Sequence, residues 1–124
     1  MKKVKKVKAL AMLAMVVILG NTMSVQAYSK GFSFNIVYSV IGKTSHSLKK
    51  ANTTVSRYGN SSTGKATYTV ELGKGILSKS FGEKTANGKT YSTKKAISKG
   101  SYKVIVTKNK GKNIRVIGAG TIKQ

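Results

Sequence analysis

Residues 66–72 read ATYTVEL, and residues 102–107 read YKVIVT. In both stretches apolar and polar side chains alternate with a period of two, which is typical of a half-buried β-strand. Residues 32–40 show the same alternation and predict one strand, whose apolar face consists of Phe32, Phe34, Ile36, Tyr38 and Val40. Residues 114–122 are apolar enough for a further strand. Weaker candidates are residues 53–58, 76–81 and 89–93.

These segments make about seven strands, and the residues between them favour turns. Asn87-Gly88 is a strong short signal for a β-hairpin, and residues 109–113 predict a second hairpin between the last two strong strands. Gly118 and Gly120 indicate a bulge or a close backbone contact. Beyond the N-terminal segment no apolar stripe has the helical period. The sequence therefore predicts an all-β fold, a small antiparallel β-sandwich or barrel.

The N-terminal segment has the three zones of a secretory signal peptide. Five lysines lie within its first eight residues, an apolar run of eleven residues follows at 9–19, and a polar stretch leads to Ala27. Val25 and Ala27 are the small residues that a signal peptidase requires, and the apolar run is too short for a membrane span. We expect cleavage between Ala27 and Tyr28, so residues 1–27 are a leader and residues 28–124 are a single domain.

The predicted mature part is very basic. It keeps 19 of the 24 basic residues and both acidic ones, Glu71 and Glu83, which gives a net charge of +17. Charge of this size repels itself and is relieved by salt or by an anionic partner. The chain has no Cys, and many small exported domains of oxidising compartments depend on disulfides. An exported domain without Cys indicates a Gram-positive bacterium.

The residue types exclude most catalytic and metal chemistry. His46, Glu71 and Glu83 are the only side chains of the predicted domain that suit a metal, and a closed zinc site takes four protein ligands. His46 has no Asp to orient it for a catalytic triad, and Cys is absent as a nucleophile. Glu71, in mid-strand and facing away from the apolar side, is a poor member of a glycosidase pair. We expect no enzymatic activity, no cofactor and no metal.

Residues 59–65, GNSSTGK, match the first seven positions of a phosphate-binding P-loop. The next residue of that motif is Ser or Thr, which holds magnesium, and here it is Ala66. The motif also leads into a helix, whereas the residues after Lys65 alternate as a strand does. This match therefore does not predict a nucleotide site.

Lysines outnumber arginines 22 to 2. Lysine binds phosphate as a hydrated point charge and lacks the planar fork that recognises bases. This composition argues against sequence-specific nucleic-acid binding and favours attraction to anionic polymers such as teichoic acids, or to anionic lipid surfaces. The expected anion-binding residues are the lysines assigned to loops: Lys43, Lys49, Lys50, Lys74, Lys84, Lys89, Lys94, Lys95, Lys108, Lys110 and Lys112.

Three functions are compatible with this composition, and a basic surface that serves solubility alone is a fourth interpretation. The first is a secreted, non-enzymatic cationic protein that associates with anionic cell-envelope polymers or surfaces and is retained at the cell wall. The second is a bacteriocin-like antibacterial protein that acts on membranes. The third is a polysaccharide-binding module in which Tyr58 and Tyr91 stack on sugar rings. The layout is similar to that of many small exoproteins of Gram-positive bacteria, a resemblance of composition that assigns no residue a role. The sequence does not predict an oligomeric state.

Overall fold

A computed structural model describes residues 28–124, and the predicted signal peptide lies outside these residues. The described part is all-β and forms nine strands. In chain order they are β1 (Ser29–Ile36), β2 (Ser39–Ile41), β3 (His46–Leu48), β4 (Ala51–Ser61), β5 (Thr67–Lys74), β6 (Leu77–Thr85), β7 (Tyr91–Ile97), β8 (Gly100–Lys110) and β9 (Val116–Lys123).

The strands form two antiparallel sheets that pack face to face as a small sandwich. The first sheet has the order β1-β9-β4-β7. The second has the order β2-β8-β5-β6, and β3 pairs with the same strand β8. The last strand, β9, lies between β1 and β4, with Phe34 opposite Gly118 and Tyr58 opposite Ala119.

Within the described residues β5–β6 is the one hairpin. The connection from β2 to β3 joins two strands that both pair with β8, and every other connection leads from one sheet to the other. The predicted hairpins at Asn87-Gly88 and at residues 109–113 are therefore wrong. Both segments are turns, but they join strands of different sheets: β6 to β7, and β8 to β9. Gly88 has a φ of 80° and Asn113 a φ of 60°, as sharp turns require.

The predicted strand 32–40 is two strands. The chain leaves the first sheet after Ile36 and joins the second sheet at Ser39. Phe34 and Ile36 are buried as expected, but Tyr38 lies on the crossing and is 75% exposed. Tyr38 is therefore not a core residue, because alternation along the chain continues only while the strand stays in one sheet.

The core lies between the inner faces of the two sheets. Apolar side chains from both sheets meet there, as the period of two requires. Seven of these side chains have no exposed surface: Val55, Tyr68, Val70, Leu72, Phe81, Val116 and Ile122.

The glycines of β9 allow two phenylalanines of β1 to lie flat on the sheet. Phe32 pairs with Gly120 and Phe34 with Gly118, and a Cβ atom at Gly118 would lie 2.6 Å from Cζ of Phe34. The expectation of a close backbone contact at these glycines is confirmed, because a Cβ atom at Gly118 or Gly120 would meet a backbone carbonyl oxygen of β4 as well as a phenylalanine ring of β1.

Candidate anion-binding surfaces

One end of the sandwich, here called the hairpin end, collects three short connections. They are Gly75-Ile76 between β5 and β6, Lys49-Lys50 between β3 and β4, and Ser98-Lys99 between β7 and β8. The pairing of Gly73 with Lys103 brings the start of β8 beside the end of β5. The two-residue connections from sheet to sheet are too short to span the length of a strand, so all three turns lie at the same end.

The opposite end, here called the loop end, contains the three longer connections. They are residues 62–66, 86–90 and 111–115. Backbone hydrogen bonds tie them together: Ser62 N–H donates to Arg115 O at 2.9 Å, and Ala86 N–H donates to Ala66 O at 2.9 Å. The crossing at Tyr38 also lies here, because Lys108 N–H donates to Tyr38 O.

The structure distributes the eleven predicted lysines over both ends and the edges between them, and it does not gather them into one patch. Several lie in strands and not in loops, since Lys84 is in β6, Lys94 and Lys95 are in β7, and Lys108 and Lys110 are in β8. Lys43 lies in the connection between β2 and β3 at a sheet edge. The hairpin end carries Lys49, Lys50 and Lys74, and the loop end carries Lys89, Lys108, Lys110 and Lys112.

Two of the eleven ammonium groups bind the protein's own backbone. Lys74 Nζ donates to Ser98 Oγ at 3.0 Å and to Lys99 O at 3.1 Å. Lys108 Nζ donates to the carbonyl oxygens of Gly111 and Ile114. These lysines hold turns in place, so their side chains are the poorest anion ligands of the set.

Sequence reasoning missed basic residues that the fold adds to each end. Lys99 is exposed in the turn between β7 and β8, and Lys79 is exposed on β6 close to the hairpin. Lys65 and Arg115 are exposed at the loop end. Their position in or beside a turn is the signal that could have identified them.

The β5–β6 turn exposes two large apolar side chains. Lys74 pairs directly with Leu77, which leaves Gly75 and Ile76 as a two-residue loop. Gly75 has a φ of 62° at the first loop position, which fits a type II′ turn. Ile76 is fully exposed, and Leu77 is 66% exposed.

A cleft of about 280 Å³ opens beside this turn, between the β6 edge of one sheet and the β7 edge of the other. Its floor contains the buried residues Leu72, Ile97 and Tyr102. The ammonium group of Lys74 lies 5.6 Å from the centre of the Tyr102 ring. The cleft therefore combines an apolar floor with two lysines, Lys74 and Lys79, in its lining.

Arg57 is a buried cation that links the two sheets. Its side chain is 1% exposed, and burial lowers its pKa. Nη1 donates to Thr93 Oγ1 on β7 at 2.9 Å, and Nη2 donates to Phe81 O on β6 at 2.5 Å. Because the acceptors are carbonyl and hydroxyl oxygens, the guanidinium group serves as a polar clamp across the edge between β6 and β7.

Two buried polar atoms near this clamp have no hydrogen-bond partner, Nε of Arg57 and the hydroxyl of Tyr68. Burial raises the pKa of Tyr68 to about 12, and the neighbouring Arg57 lowers it by a smaller amount. The Tyr68 phenol is therefore neutral at physiological pH. The alternation of the strand places Arg57 on the inner face, but its charge makes burial there unexpected from the sequence.

His46 is buried and hydrogen-bonded to Tyr28, the first described residue. Its Nδ1 lies 2.6 Å from the hydroxyl of Tyr28, and the two rings meet edge to face. Burial lowers the pKa of His46, and the charge of Lys30 lowers it further. His46 therefore fixes the beginning of the domain and is neutral at physiological pH.

A shallow depression of about 260 Å³ lies on the outer face of the first sheet, lined by Ser56, Tyr58, Thr90 and Thr121 among others. Tyr58 is 41% exposed at its rim. Tyr91, the other tyrosine expected to contact sugars, is partly buried, and its hydroxyl accepts a hydrogen bond from Asn87. Tyr91 pairs with Arg57, the chain neighbour of Tyr58, so the two tyrosines point to opposite faces of the first sheet and Tyr58 is the more accessible one.

Between Tyr28 and Gln124 no three His, Cys, Asp or Glu side chains come together as a metal-binding group. No segment of the same range forms a helix with the length and apolarity that a membrane crossing requires. Comparison with protein-family models, with curated proteins and with solved structures finds no match for the chain.

Proposed function

We propose that this protein is a secreted, non-enzymatic cationic domain that binds anionic polymers or surfaces of a Gram-positive cell envelope. The observation that supports the proposal is the position of the positive charge. Exposed lysines occupy both ends of the sandwich, and the described residues contain two carboxylates against 19 basic groups. Repeated phosphate groups along a teichoic-acid chain match such a surface, because each lysine binds one phosphate without a special geometry.

The two carboxylates do little to neutralise this surface. Glu71 lies in the middle of β5, and Glu83 on β6 accepts a hydrogen bond from the Thr67 hydroxyl. Neither lies in one of the six turns at the ends. The ends therefore keep an excess of basic side chains, and we expect binding to depend on ionic strength because salt screens exposed charges over about 8–10 Å at 0.1–0.15 M.

The test is co-sedimentation of residues 28–124 with Gram-positive cell walls that contain or lack teichoic acid, across a salt series. We expect binding to the teichoic-acid walls that declines linearly as log K against log salt concentration, as released counterions require. Equal binding to both wall preparations, or binding that 0.5 M salt does not weaken, contradicts the proposal.

Charge reversal at each end provides matched variants. Lys49→Glu/Lys50→Glu changes the hairpin end, and Lys110→Glu/Lys112→Glu changes the loop end by the same amount. All four side chains are exposed, so the fold tolerates the changes. We expect each pair to weaken binding and to reduce the salt slope, and the combined variant to lose most of the binding. If the combined variant binds as the wild type does, the charge serves solubility alone.

A polysaccharide-binding function is the second candidate, and the depression beside Tyr58 favours it. An exposed aromatic ring bordered by Ser and Thr hydroxyls is a surface on which a sugar ring can stack. Binding of this kind persists at high salt. We expect Tyr58→Ala to remove any salt-resistant binding to wall polysaccharide, and an unchanged residual binding in that variant would exclude this surface.

A further inference from the structure

The β5–β6 turn exposes two large apolar side chains to water, which is energetically unfavourable. Ile76 is fully exposed and Leu77 is 66% exposed, and a Cβ atom added to the neighbouring Gly75 would meet no atom within 4 Å. The tip therefore projects into solvent beyond the body of the sandwich. Exposed apolar residues that are grouped at one projecting point mark an interaction site more often than scattered ones do.

Lysines surround this tip. Lys79 is exposed on β6, two residues after Leu77, and the neighbouring turns of the hairpin end contribute Lys49, Lys50 and Lys99. An apolar point within a group of cations matches the interface of a bilayer with anionic headgroups, where apolar side chains enter the acyl boundary and cations meet phosphates. A dissolved polyanion uses the lysines but gives Ile76 no apolar environment.

The adjacent cleft extends the apolar surface into the molecule. Leu77 lines it together with Ala96 and Ile97, and Lys79 and Ser98 lie on its polar side. A lipid chain displaced by the inserted tip therefore finds an apolar groove directly behind the tip, with two lysines in its lining. The loop end also has an exposed aromatic residue, Tyr38. The ammonium group of Lys108 lies 5.9 Å from the centre of its ring, so this ring already has a cation of the protein as its neighbour.

We propose that the hairpin end binds the surface of an anionic phospholipid bilayer, with Ile76 and Leu77 inserted at the level of the headgroup–acyl boundary. Lys49, Lys50, Lys79 and Lys99 contact lipid phosphates around the inserted tip. The inference rests on the proposed function, since it names one anionic surface and one end of the domain. Apolar insertion, and not charge alone, determines the affinity of the protein for this surface.

The chain contains no Trp, so one introduced Trp reports on its own position. Ile76→Trp in residues 28–124 is mixed with vesicles of phosphatidylglycerol and phosphatidylcholine in equal parts, and with vesicles of phosphatidylcholine alone. We expect a blue shift of the Trp emission with the anionic vesicles only, and quenching when the acyl chains carry bromine near the headgroup. Tyr38→Trp is the matched control, since Tyr38 is 75% exposed at the opposite end. Equal quenching at both positions, or no shift at position 76 while the protein sediments with vesicles, overturns the proposal.

A second variant separates insertion from charge. Ile76→Ser/Leu77→Ser keeps every lysine and lies outside the core. We expect its affinity for the anionic vesicles to fall by about a hundredfold or more, because burial of each of the two apolar side chains contributes about tenfold to a hundredfold. Its binding to teichoic-acid walls is expected to stay at the wild-type level. Wild-type affinity for vesicles in this variant overturns the proposal.

The failures of the two proposals are distinguishable. If the wild-type protein binds teichoic-acid walls but no anionic vesicle, the bilayer inference is wrong and the proposed function stands. If it binds neither walls nor vesicles, the proposed function itself is wrong. The circular dichroism spectrum of each variant, compared with that of the wild type, shows that the sandwich is intact.

Discussion

The hydroxyl group of Tyr68 is buried without a hydrogen-bond partner, so we expect Tyr68→Phe to stabilise the protein. The side chain has no exposed surface, and its oxygen lies among buried atoms with no donor or acceptor in reach. An unpaired buried hydroxyl costs about 1–3 kcal/mol of desolvation, and the substitution removes the hydroxyl without changing the ring. The free energy of unfolding should therefore rise by about 1–3 kcal/mol.

Tyr102→Phe is the matched control for this substitution. Tyr102 is also buried, but its hydroxyl donates to Ser98 O at 2.7 Å and lies 3.0 Å from Ser98 Oγ. Removing this hydroxyl leaves the Ser98 groups without that partner and should lower the free energy of unfolding by about 1 kcal/mol. The two substitutions delete the same atom from two buried tyrosines, so their effects are expected to have opposite signs.

Urea unfolding followed by far-ultraviolet circular dichroism measures both effects. For a domain of this size a change of 1 kcal/mol shifts the Tm by about 4–8 °C, which thermal scans resolve. If Tyr68→Phe is destabilising by as much as Tyr102→Phe, the Tyr68 hydroxyl is hydrogen-bonded in solution, for example through a buried water to Nε of Arg57. That result would refute the reasoning.

The same tyrosine affects stability at high pH. The pKa of Tyr68 is about 12 in the folded protein, against 10.0 for an ordinary tyrosine. Between these values the folded state keeps a proton that the unfolded state has lost, so the stability from this group is present below pH 10 and declines as the pH rises toward 12. Tyr68→Phe should show a smaller decline over this range than the wild type.

Three further predictions concern other parts of the fold. The lowered pKa of His46, from an ordinary value of 6.5, means that the unfolded state binds a proton more readily, so stability should fall as the pH drops below 6.5. His46→Gln should reduce this loss in urea titrations at pH 5 and 7, and an unchanged loss would mean that His46 does not contribute. Gly118→Ala should cost about 3 kcal/mol, because the added Cβ would overlap the backbone carbonyl oxygen of Tyr58 and lie 2.6 Å from Cζ of Phe34, whereas Gly31→Ala should change stability by less than about 0.5 kcal/mol. Asn113→Gly should be close to neutral and Asn113→Ala should cost about 1 kcal/mol, since residue 113 has a φ of 60°. Equal effects of Gly118→Ala and Gly31→Ala, or of Asn113→Gly and Asn113→Ala, would contradict the backbone argument.

Much of the fold is predictable from the sequence, because alternation identifies a strand wherever one face is buried. Residues 67–72 of the predicted segment 66–72 lie in β5, and residues 102–107 lie within β8. The pairing partners are not predictable in the same way. Asn87-Gly88 indicates that the chain turns, but it does not indicate whether the next strand joins the same sheet or the facing one.

The candidate site is less predictable than the fold. A lysine in a run signals charge, but hydrogen bonds decide whether its ammonium group faces solvent or holds a turn, as Lys74 and Lys108 do. The sequence predicts a strand at residues 76–81, which includes Ile76. Its position at the exposed corner of a hairpin depends on the positive φ of Gly75. Arg57 is buried against its intrinsic preference because carbonyl oxygens of two strands surround it.

The central position of β9 has a consequence for the order in which the protein folds. The first sheet places its last strand, Val116–Lys123, between β1 and β4. A chain that emerges from the ribosome N-terminus first therefore cannot close this sheet until β9 has been synthesised. Nearly all strand pairings also join distant segments, which slows folding of β-sandwiches. Closure of the first sheet is therefore expected to be a late step of folding, which follows the synthesis of β9.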